Sequence, residues 1–212
     1  MWGRVCPPTR ETGWWYERPV SLLELPVGNL LGRLAADDPT TAGGAAAALT
    51  VAMAAALVEL VARESVTDWD EARGALAQAE ALRARATPLA DLNTQAYARA
   101  AGVLTSSGET TGDARDEEIR DALTWTIDVL LQIGDAASDV ADLASLAAEC
   151  GTPNLRADAA AAAALAETSA RVAADLIAAN LAVTAGDERL ERAATLAALA
   201  GNAARRARRT DA

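Results

Sequence analysis

Apolar residues recur along this chain at intervals of three and four positions, and no stretch alternates as a strand would. Leu22, Leu23, Leu30, Leu31 and Leu34 show this spacing near the start. A period near 3.6 residues is typical of amphipathic helices. The pattern therefore predicts an all-α protein, a single compact bundle of about five to six helices. The predicted helices cover residues 21–36, 43–64, 70–104, 113–150, 154–184, and a last segment from about 187 to 209.

Glycine and proline predict where these helices begin, end or bend. Pro26 and Gly28 interrupt the first helix, and Pro88 predicts a kink or break in the third. Residues 151–153, which read Gly-Thr-Pro, form a stop signal after the long fourth helix. Asn154 then suits the N-cap of the next helix.

The first twenty residues differ in composition from the rest of the chain. They hold three of the five Trp and three of the seven Pro. We expect an irregular extension over residues 1–20, either packed on a neighbouring subunit or poorly ordered, followed by one helical domain over residues 21–212. Because this stretch is charged and contains Pro and Trp, it does not predict a signal peptide.

The apolar residues are small. The chain is 51% hydrophobic but only 3% aromatic, and it has no Phe. A core of Ala, Leu and Val buries little area per residue, which favours an oligomer, and we expect a homodimer. Residues 39–58 carry no charge, but they are mostly Ala, Gly and Thr, so they predict a buried core helix and not a membrane span.

Charge and missing residue types narrow the chemistry. The net charge is −11, which argues against nucleic acid or an anionic membrane as a partner. The chain has no His, and all 19 basic residues are Arg, so acid–base chemistry falls to Asp, Glu, Tyr, Cys or water. Cys6 and Cys150 are far apart and lack metal-ligand spacing. We expect a reduced, cytoplasmic protein with no metal site.

A first candidate for binding is the segment 38–45. Pro39 and Thr40 end the preceding segment, and Gly43 and Gly44 allow a ligand to approach the backbone at a helix N-terminus. The unpaired N–H groups and the positive end of the helix dipole there favour an anion or a carboxylate. The alternative is an ordinary loop whose glycines allow close helix packing.

Two further segments place polar residues on helices. Asn154 and Asp158 lie four residues apart before six consecutive Ala, where partial desolvation would raise the pKa of a carboxylate. The alternative is helix capping with dipole compensation. Asp91, Asn93 and Tyr97 form a polar stripe within a helix, and a solvated helix face is the alternative there.

Together these segments resemble the formimidoyltetrahydrofolate cyclodeaminase and methenyltetrahydrofolate cyclohydrolase family. That family carries a Ser-Pro-Thr-Pro-Gly-Gly-Gly-Ser motif before an Ala-rich helix, and residues 39–44 match it at Pro39, Thr40, Gly43 and Gly44. Further matches extend the resemblance over roughly residues 21–205. They are Asp91, Ala96 and Tyr97 in an Asp-x-Asp-x-x-Ala-Phe/Tyr segment, Arg115, and Asn154, Asp158 and Ala159 in an Asn-x-x-Ser-Asp-Ala element.

The chain also departs from the family pattern at several polar positions. Asn93 stands where the family has its second Asp, and Ala157 stands where it has Ser. Thr41, Ala42 and Ala45 replace Pro, the first Gly and Ser, and a Lys-rich stretch reads Val-Thr-Asp-Trp over residues 66–69. These changes leave the fold expectation intact and weaken the inference of activity.

The resemblance implies a dimeric all-α folate enzyme that needs no bound cofactor. Such an enzyme hydrolyses 5,10-methenyltetrahydrofolate, or closes the ring of 5-formimidoyltetrahydrofolate with loss of ammonia, at sites near the subunit interface. It implies that Asp158 and Asp91 are catalytic. The substrate-binding residues it implies are Pro39, Thr40, Gly43, Gly44, Asn93, Tyr97, Arg115 and Asn154. A diverged paralogue with imine, amidine or ring-closing chemistry on another substrate, and a non-catalytic helical binding protein, are the alternatives.

Overall fold

The computed structural model of the chain describes residues 21–36, 43–105, 112–180 and 187–209. Within those ranges the chain is helical, with seven α-helices, two short 3₁₀ helices and no strand. The all-α prediction is therefore confirmed. The α-helices are α1 (Val27–Leu34), α2 (Gly43–Glu64), α3 (Ala72–Ala86), α4 (Leu89–Thr105), α5 (Asp113–Cys150), α6 (Arg156–Asn180) and α7 (Glu188–Arg209).

The core lies where α2, α5, α6 and α7 pack together. Alanines on each of these helices are fully buried, including Ala48, Ala136, Ala163 and Ala204. Small side chains at helix contacts let the backbones approach closely, so an Ala-rich sequence favours tight helix packing. Larger apolar residues such as Ile133 fill the remaining space at the centre. The Ala-rich composition thus produces a thin but continuous core.

The ends of α4 and α5 form a separate two-helix arm. Ala100, Val103 and Ala122 make a small apolar cluster there, apart from the main core. The Arg99 guanidinium lies 5.9 Å from the centre of the Trp125 ring, a cation–π distance. These contacts hold the two helix ends of the arm together.

Most predicted helix boundaries agree with the structure, and two details differ. Pro88 separates α3 from α4, as its lack of an N–H predicts. Gly28 does not interrupt a helix, because it lies inside α1 with open space around it. Asn154 is not the N-cap of α6, because it lies inside a 3₁₀ helix over residues 153–155 that leads directly into α6. The predicted extension over residues 1–20 lies outside the described residues.

One face of α2 is buried and the opposite face is exposed. Val51, Val58 and Val61 are fully buried against the bundle, whereas Met53, Ala56 and Leu60 are exposed. By length and composition α2 could also cross a membrane, and just over half of its most apolar stretch is buried inside the protein. A helix that is apolar on all sides normally has all of its faces covered.

Ser65 joins the end of α2 to the turn between α5 and α6. Its hydroxyl is fully buried, donates to the carbonyl of Val61 at 2.6 Å and accepts from the Thr152 N–H at 2.8 Å. Gly151 makes this approach possible, since a Cβ there would lie 2.5 Å from the Ala147 carbonyl oxygen and 3.0 Å from Val61. This junction fixes where α6 begins relative to α2.

We expect Ser65→Ala to lower the free energy of unfolding by about 1–2 kcal/mol, because it leaves the Thr152 N–H without its partner. Thr168→Ala is the matched control. Thr168 also donates to the carbonyl four residues earlier, at 2.9 Å, but it is exposed and holds no second group. That variant should change stability by less than about 0.5 kcal/mol. Urea unfolding of both variants measures the difference, and equal losses would contradict a role for the junction.

Candidate functional site

The start of α2 packs directly against α4 at Gly44. A Cβ on Gly44 would lie 2.6 Å from the side-chain Cγ of Asn93, well inside van der Waals contact. Gly43 is different, because a Cβ there would lie 3.7 Å from Leu176 and 4.0 Å from Val172 of α6. Gly44 therefore allows α2 and α4 to pack closely. Close helix packing is the alternative to ligand binding that was given above for this segment.

Asn93 is a buried polar residue at this contact. Its exposed fraction is 5%, and among the described residues no hydrogen bond joins its side-chain amide to another group. Leaving such a group unpaired costs about 1–3 kcal/mol, so a buried amide without a protein partner requires an explanation. The first N–H groups of α2 lie beside it and have no partner within the helix. Together they place polar groups without a described partner at one position of the bundle.

Tyr97 and Arg115 extend from this position along the arm. Tyr97 lies one helical turn after Asn93 and is partly exposed. Arg115 lies in the first turn of α5, and its guanidinium donates to the carbonyl of Val103 at 3.3 Å. Val103 follows Asn93 by ten residues, which is about 15 Å along α4. The Arg115 guanidinium, which contacts Val103, therefore lies about that far from Asn93. We call Gly43, Gly44, Asn93 and Tyr97 the Gly44 cluster.

Asp91 holds the segment before α1 in place. One carboxylate oxygen accepts from the Ser21 hydroxyl at 2.5 Å, and the other accepts from the Leu22 N–H at 2.8 Å. Both oxygens are thus engaged at the start of the first 3₁₀ helix. This arrangement favours a structural role for Asp91, and its catalytic role stays a prediction.

Asn154 and Asp158 lie at the start of α6. Asn154 is exposed in the 3₁₀ helix, and Asp158 is half-buried in the first turn of α6. No hydrogen bond or ion pair joins the Asp158 carboxylate to another described group. We call these two residues the Asp158 cluster.

The Gly44 and Asp158 clusters lie at opposite ends of α2. Gly43 at its first residue packs on Val172 and Leu176, near the end of α6. Ser65, just past its last residue, holds Thr152 at the start of α6. The two helices are therefore antiparallel, and the 22 residues of α2 place about 30 Å between the clusters. Within one chain the structure does not bring the predicted site residues together.

Two predicted site residues, Pro39 and Thr40, lie outside the described residues. In the described part of the chain, no group of three or more His, Cys, Asp or Glu residues is placed to hold a metal ion. The polar groups of the two clusters instead suit an organic ligand with hydrogen-bonding and charged atoms.

Comparison with known proteins identifies the family. The sequence profile of formiminotransferase-cyclodeaminase matches residues 26–198, which is most of the chain. The chain belongs to the formiminotransferase-cyclodeaminase family. A methenyltetrahydrofolate cyclohydrolase of Methylorubrum extorquens is 31% identical over 141 residues, which are 63% of this chain and 68% of that protein.

A solved structure of a family member has the same fold. The formiminotetrahydrofolate cyclodeaminase of Thermotoga maritima superposes with a TM-score of 0.78 at 24% identity, over 89% of this chain and 96% of the other. At that identity the superposition shows the fold alone. The family resemblance predicted from the sequence motifs is confirmed, and relatives with this fold are cyclohydrolases and cyclodeaminases of folates.

The sequence did not indicate which polar residues are buried or which groups they contact. The polar stripe of α4 divides, because Asn93 is buried under Gly44 while Asp91 turns to Ser21. It also missed Glu59, which is buried in α2 and accepts from the Arg83 guanidinium at 2.5 Å. A Glu directly after the uncharged run 43–58 was the available signal for this pair.

Proposed function

We propose that this protein is a folate one-carbon enzyme that hydrolyses 5,10-methenyltetrahydrofolate, or cyclises 5-formimidoyltetrahydrofolate with release of ammonia. The observation that carries the proposal is the buried Asn93 amide, which has no partner among the described residues and lies beside the N-terminus of α2. Membership of the formiminotransferase-cyclodeaminase family supports the substrate class.

The Gly44 cluster suits the polar edge of a pterin. An amide offers both a donor and an acceptor, and a pterin edge carries both kinds of group. The N–H groups at the start of α2 add donors for a carbonyl oxygen or an anion. Tyr97 lies one turn farther out, where its ring could stack on the aminobenzoyl group. We assign substrate binding to this cluster.

Asp158 suits the acid–base step in a site completed by a second copy of the chain, because the two clusters of one chain lie about 30 Å apart. In hydrolysis, water adds to the cationic methenyl carbon, one carbon–nitrogen bond breaks, and a proton is released as formyltetrahydrofolate forms. A carboxylate at the start of α6 stabilises the cation and accepts that proton. In cyclisation, the anilino nitrogen N10 attacks the formimidoyl carbon that N5 carries, and the proton of N10 passes to the imine nitrogen. Asp158 in its protonated form supplies the second proton, with which the carbon–nitrogen bond breaks and ammonia leaves the methenyl cation.

Guanidinium groups suit the glutamate tail of the folate. Arg115, at the outer end of the arm, and Arg156, beside the Asp158 cluster, each present a planar donor group that can bind a carboxylate through two hydrogen bonds.

The test measures two reactions with the full chain. Loss of methenyltetrahydrofolate absorbance above the buffer rate indicates hydrolysis, and ammonia release from formimidoyltetrahydrofolate indicates cyclisation. We expect at least one of them, together with folate binding by calorimetry. Binding without turnover would indicate a folate-binding protein on this fold. If the protein shows no folate binding and no turnover, the proposal is refuted. The replaced polar residues would then explain the loss of folate activity, and the search would move to a non-folate imine or amidine substrate.

A further inference from the structure

We infer that the segment before Ser21 packs into an apolar groove between α1 and α2 of its own chain, with Trp14, Trp15 and Tyr16 as its main apolar contacts. We call these three residues the aromatic triplet. The groove, which we call the α1–α2 groove, has a volume of about 470 Å³. The side chains that line it are mostly apolar, and they include Leu23, Leu30, Leu34, Leu49 and Met53.

α1 forms one wall of this groove, but it has no buried residue of its own. Its eight residues include Gly28 and Gly32, which lower helix propensity and have open space where a Cβ would lie. Isolated helices shorter than about 12 residues are marginal in water, so a helix of this length depends on packing. Val27 and Leu31 nevertheless expose 71% and 60% of their areas. A further group is therefore needed to cover α1.

Ser21 fixes the point at which the preceding segment reaches the groove. The Asp91 carboxylate accepts from the Ser21 hydroxyl at 2.5 Å and from the Leu22 N–H at 2.8 Å. Leu22 is buried in the core, and Leu23 already lines the groove. Asp91 follows Thr87, which lies at one edge of the groove, by four residues. The segment therefore begins beside that edge.

The aromatic triplet is close enough to Ser21 to fill the groove of its own chain. It lies five to seven residues before Ser21, and an extended chain spans at most about 3.5 Å per residue, so its reach is roughly 17–25 Å. The groove follows α2 from Ala46 to Ala56, which is about 15 Å of helix. The triplet can thus contact any part of the groove.

The chemistry of the triplet complements the groove. Residues 43–58 of α2 carry no charge, and neither does any residue of the triplet. Aromatic side chains bury about 150–250 Å² each, more than other apolar residues. Clefts of about 300–1,000 Å³ hold molecules with several rings, and the groove falls within that range.

Arg83 offers a polar contact at the edge of the groove. Its Nε donates to Glu59 at 2.5 Å, and no hydrogen bond joins its terminal nitrogens to another described residue. Glu17 directly follows the aromatic triplet and supplies a carboxylate four residues before Ser21. Because a planar guanidinium binds carboxylates through paired N–H donors, Arg83 suits Glu17 where the segment enters the groove.

Tethering favours this segment over a separate molecule as the occupant. A short flexible linker holds its end near the groove at an effective concentration on the order of millimolar. A separate molecule has to reach the groove from solution, at the far lower concentration at which it is present. The triplet also precedes residue 26, where the match to the family profile begins, so the family profile does not contain this contact.

Disulfide trapping tests the contact in the full chain. Cys6→Ser and Cys150→Ser remove the native thiols, and Gly13→Cys, beside the triplet, is combined with Met53→Cys in the groove. Mild oxidation should link most chains within themselves, because a disulfide needs Cα atoms within about 7 Å. Gly13→Cys with Leu199→Cys is the matched control, since Leu199 is 52% exposed on α7. The control should show less than about a tenth of that linkage.

Three results of these experiments would overturn the proposal. The first is a linkage no greater than that of the control. The second is linkage between two chains, seen as a doubled mass on a non-reducing gel, because the segment would then belong to the groove of a partner. The third is flotation of the wild type with phosphatidylcholine vesicles that is lost in Trp14→Ser, which would assign the triplet to a lipid surface.

Hydrogen exchange measures the same contact without introduced cysteines. Trp14→Ser combined with Trp15→Ser should speed amide exchange in α1 by at least about 10-fold, because α1 then loses its cover. Trp2→Ser is the control, since it makes the same change twelve residues before Trp14 and should leave exchange unchanged. Circular dichroism should show an intact bundle, because no residue of α1 belongs to the core. Unchanged exchange in the double variant would contradict the proposal. Neither measurement uses a folate, so both are independent of the proposed function.

Discussion

Asp158→Asn should lower kcat/KM for the folate substrate by at least about 100-fold, the usual contribution of a positioned acid–base group. The amide keeps the size of the side chain and can still accept hydrogen bonds at the start of α6, but it can neither take up the proton nor stabilise a cation. The carboxylate has no ion pair in the described structure, so its removal should leave the packing unchanged.

The stability of the same variant distinguishes catalysis from helix capping. Loss of a negative charge in the first turn of a helix costs about 0.3–1 kcal/mol, which for a chain of this size lowers Tm by only a few degrees. Glu191→Gln is the control, since it makes the same chemical change at an exposed position in the first turn of α7. Both variants should melt alike while only Asp158→Asn loses activity. A fall of more than about 3 kcal/mol with Asp158→Asn would favour a structural role instead.

Gly44→Ala should lower the free energy of unfolding. The new Cβ would overlap the amide of Asn93, and forced overpacking of this kind costs about 1–3 kcal/mol. Because the displaced amide is a proposed substrate contact, we also expect KM to rise. Urea unfolding and steady-state kinetics measure the two effects.

Two further variants make this prediction specific to the contact with Asn93. Gly43→Ala adds the same methyl one residue earlier, at ordinary distances from Val172 and Leu176, and should change stability by less than about 0.5 kcal/mol. Combining Gly44→Ala with Asn93→Ala removes the clash and should recover stability, with a coupling energy above about 1 kcal/mol. Additive effects in the double variant would mean that Asn93 moves aside freely.

The family could be recognised from the sequence because its motifs lie within single helices or their first turns. Gly43 starts α2 and Asp158 falls in the first turn of α6, and both positions follow from local rules. The roles of these residues could not be read in the same way. Asp91 and Asn93 are two residues apart on one helix, yet one holds Ser21 and the other lies under Gly44.

The sequence by itself determined the helices of this protein, since hydrophobic period, the high helix propensity of Ala and the breaks at Pro88 and Gly151 act within a few residues. Only the tertiary structure decided that the two candidate clusters lie about 30 Å apart. The direction in which α6 returns along α2 depends on contacts between residues far apart in the sequence, Ser65 with Thr152 and Gly43 with Val172. The tertiary structure also decided which face of α2 is buried. An all-apolar helix has no polar stripe to orient it, so the neighbouring helices select the covered face and leave the other exposed.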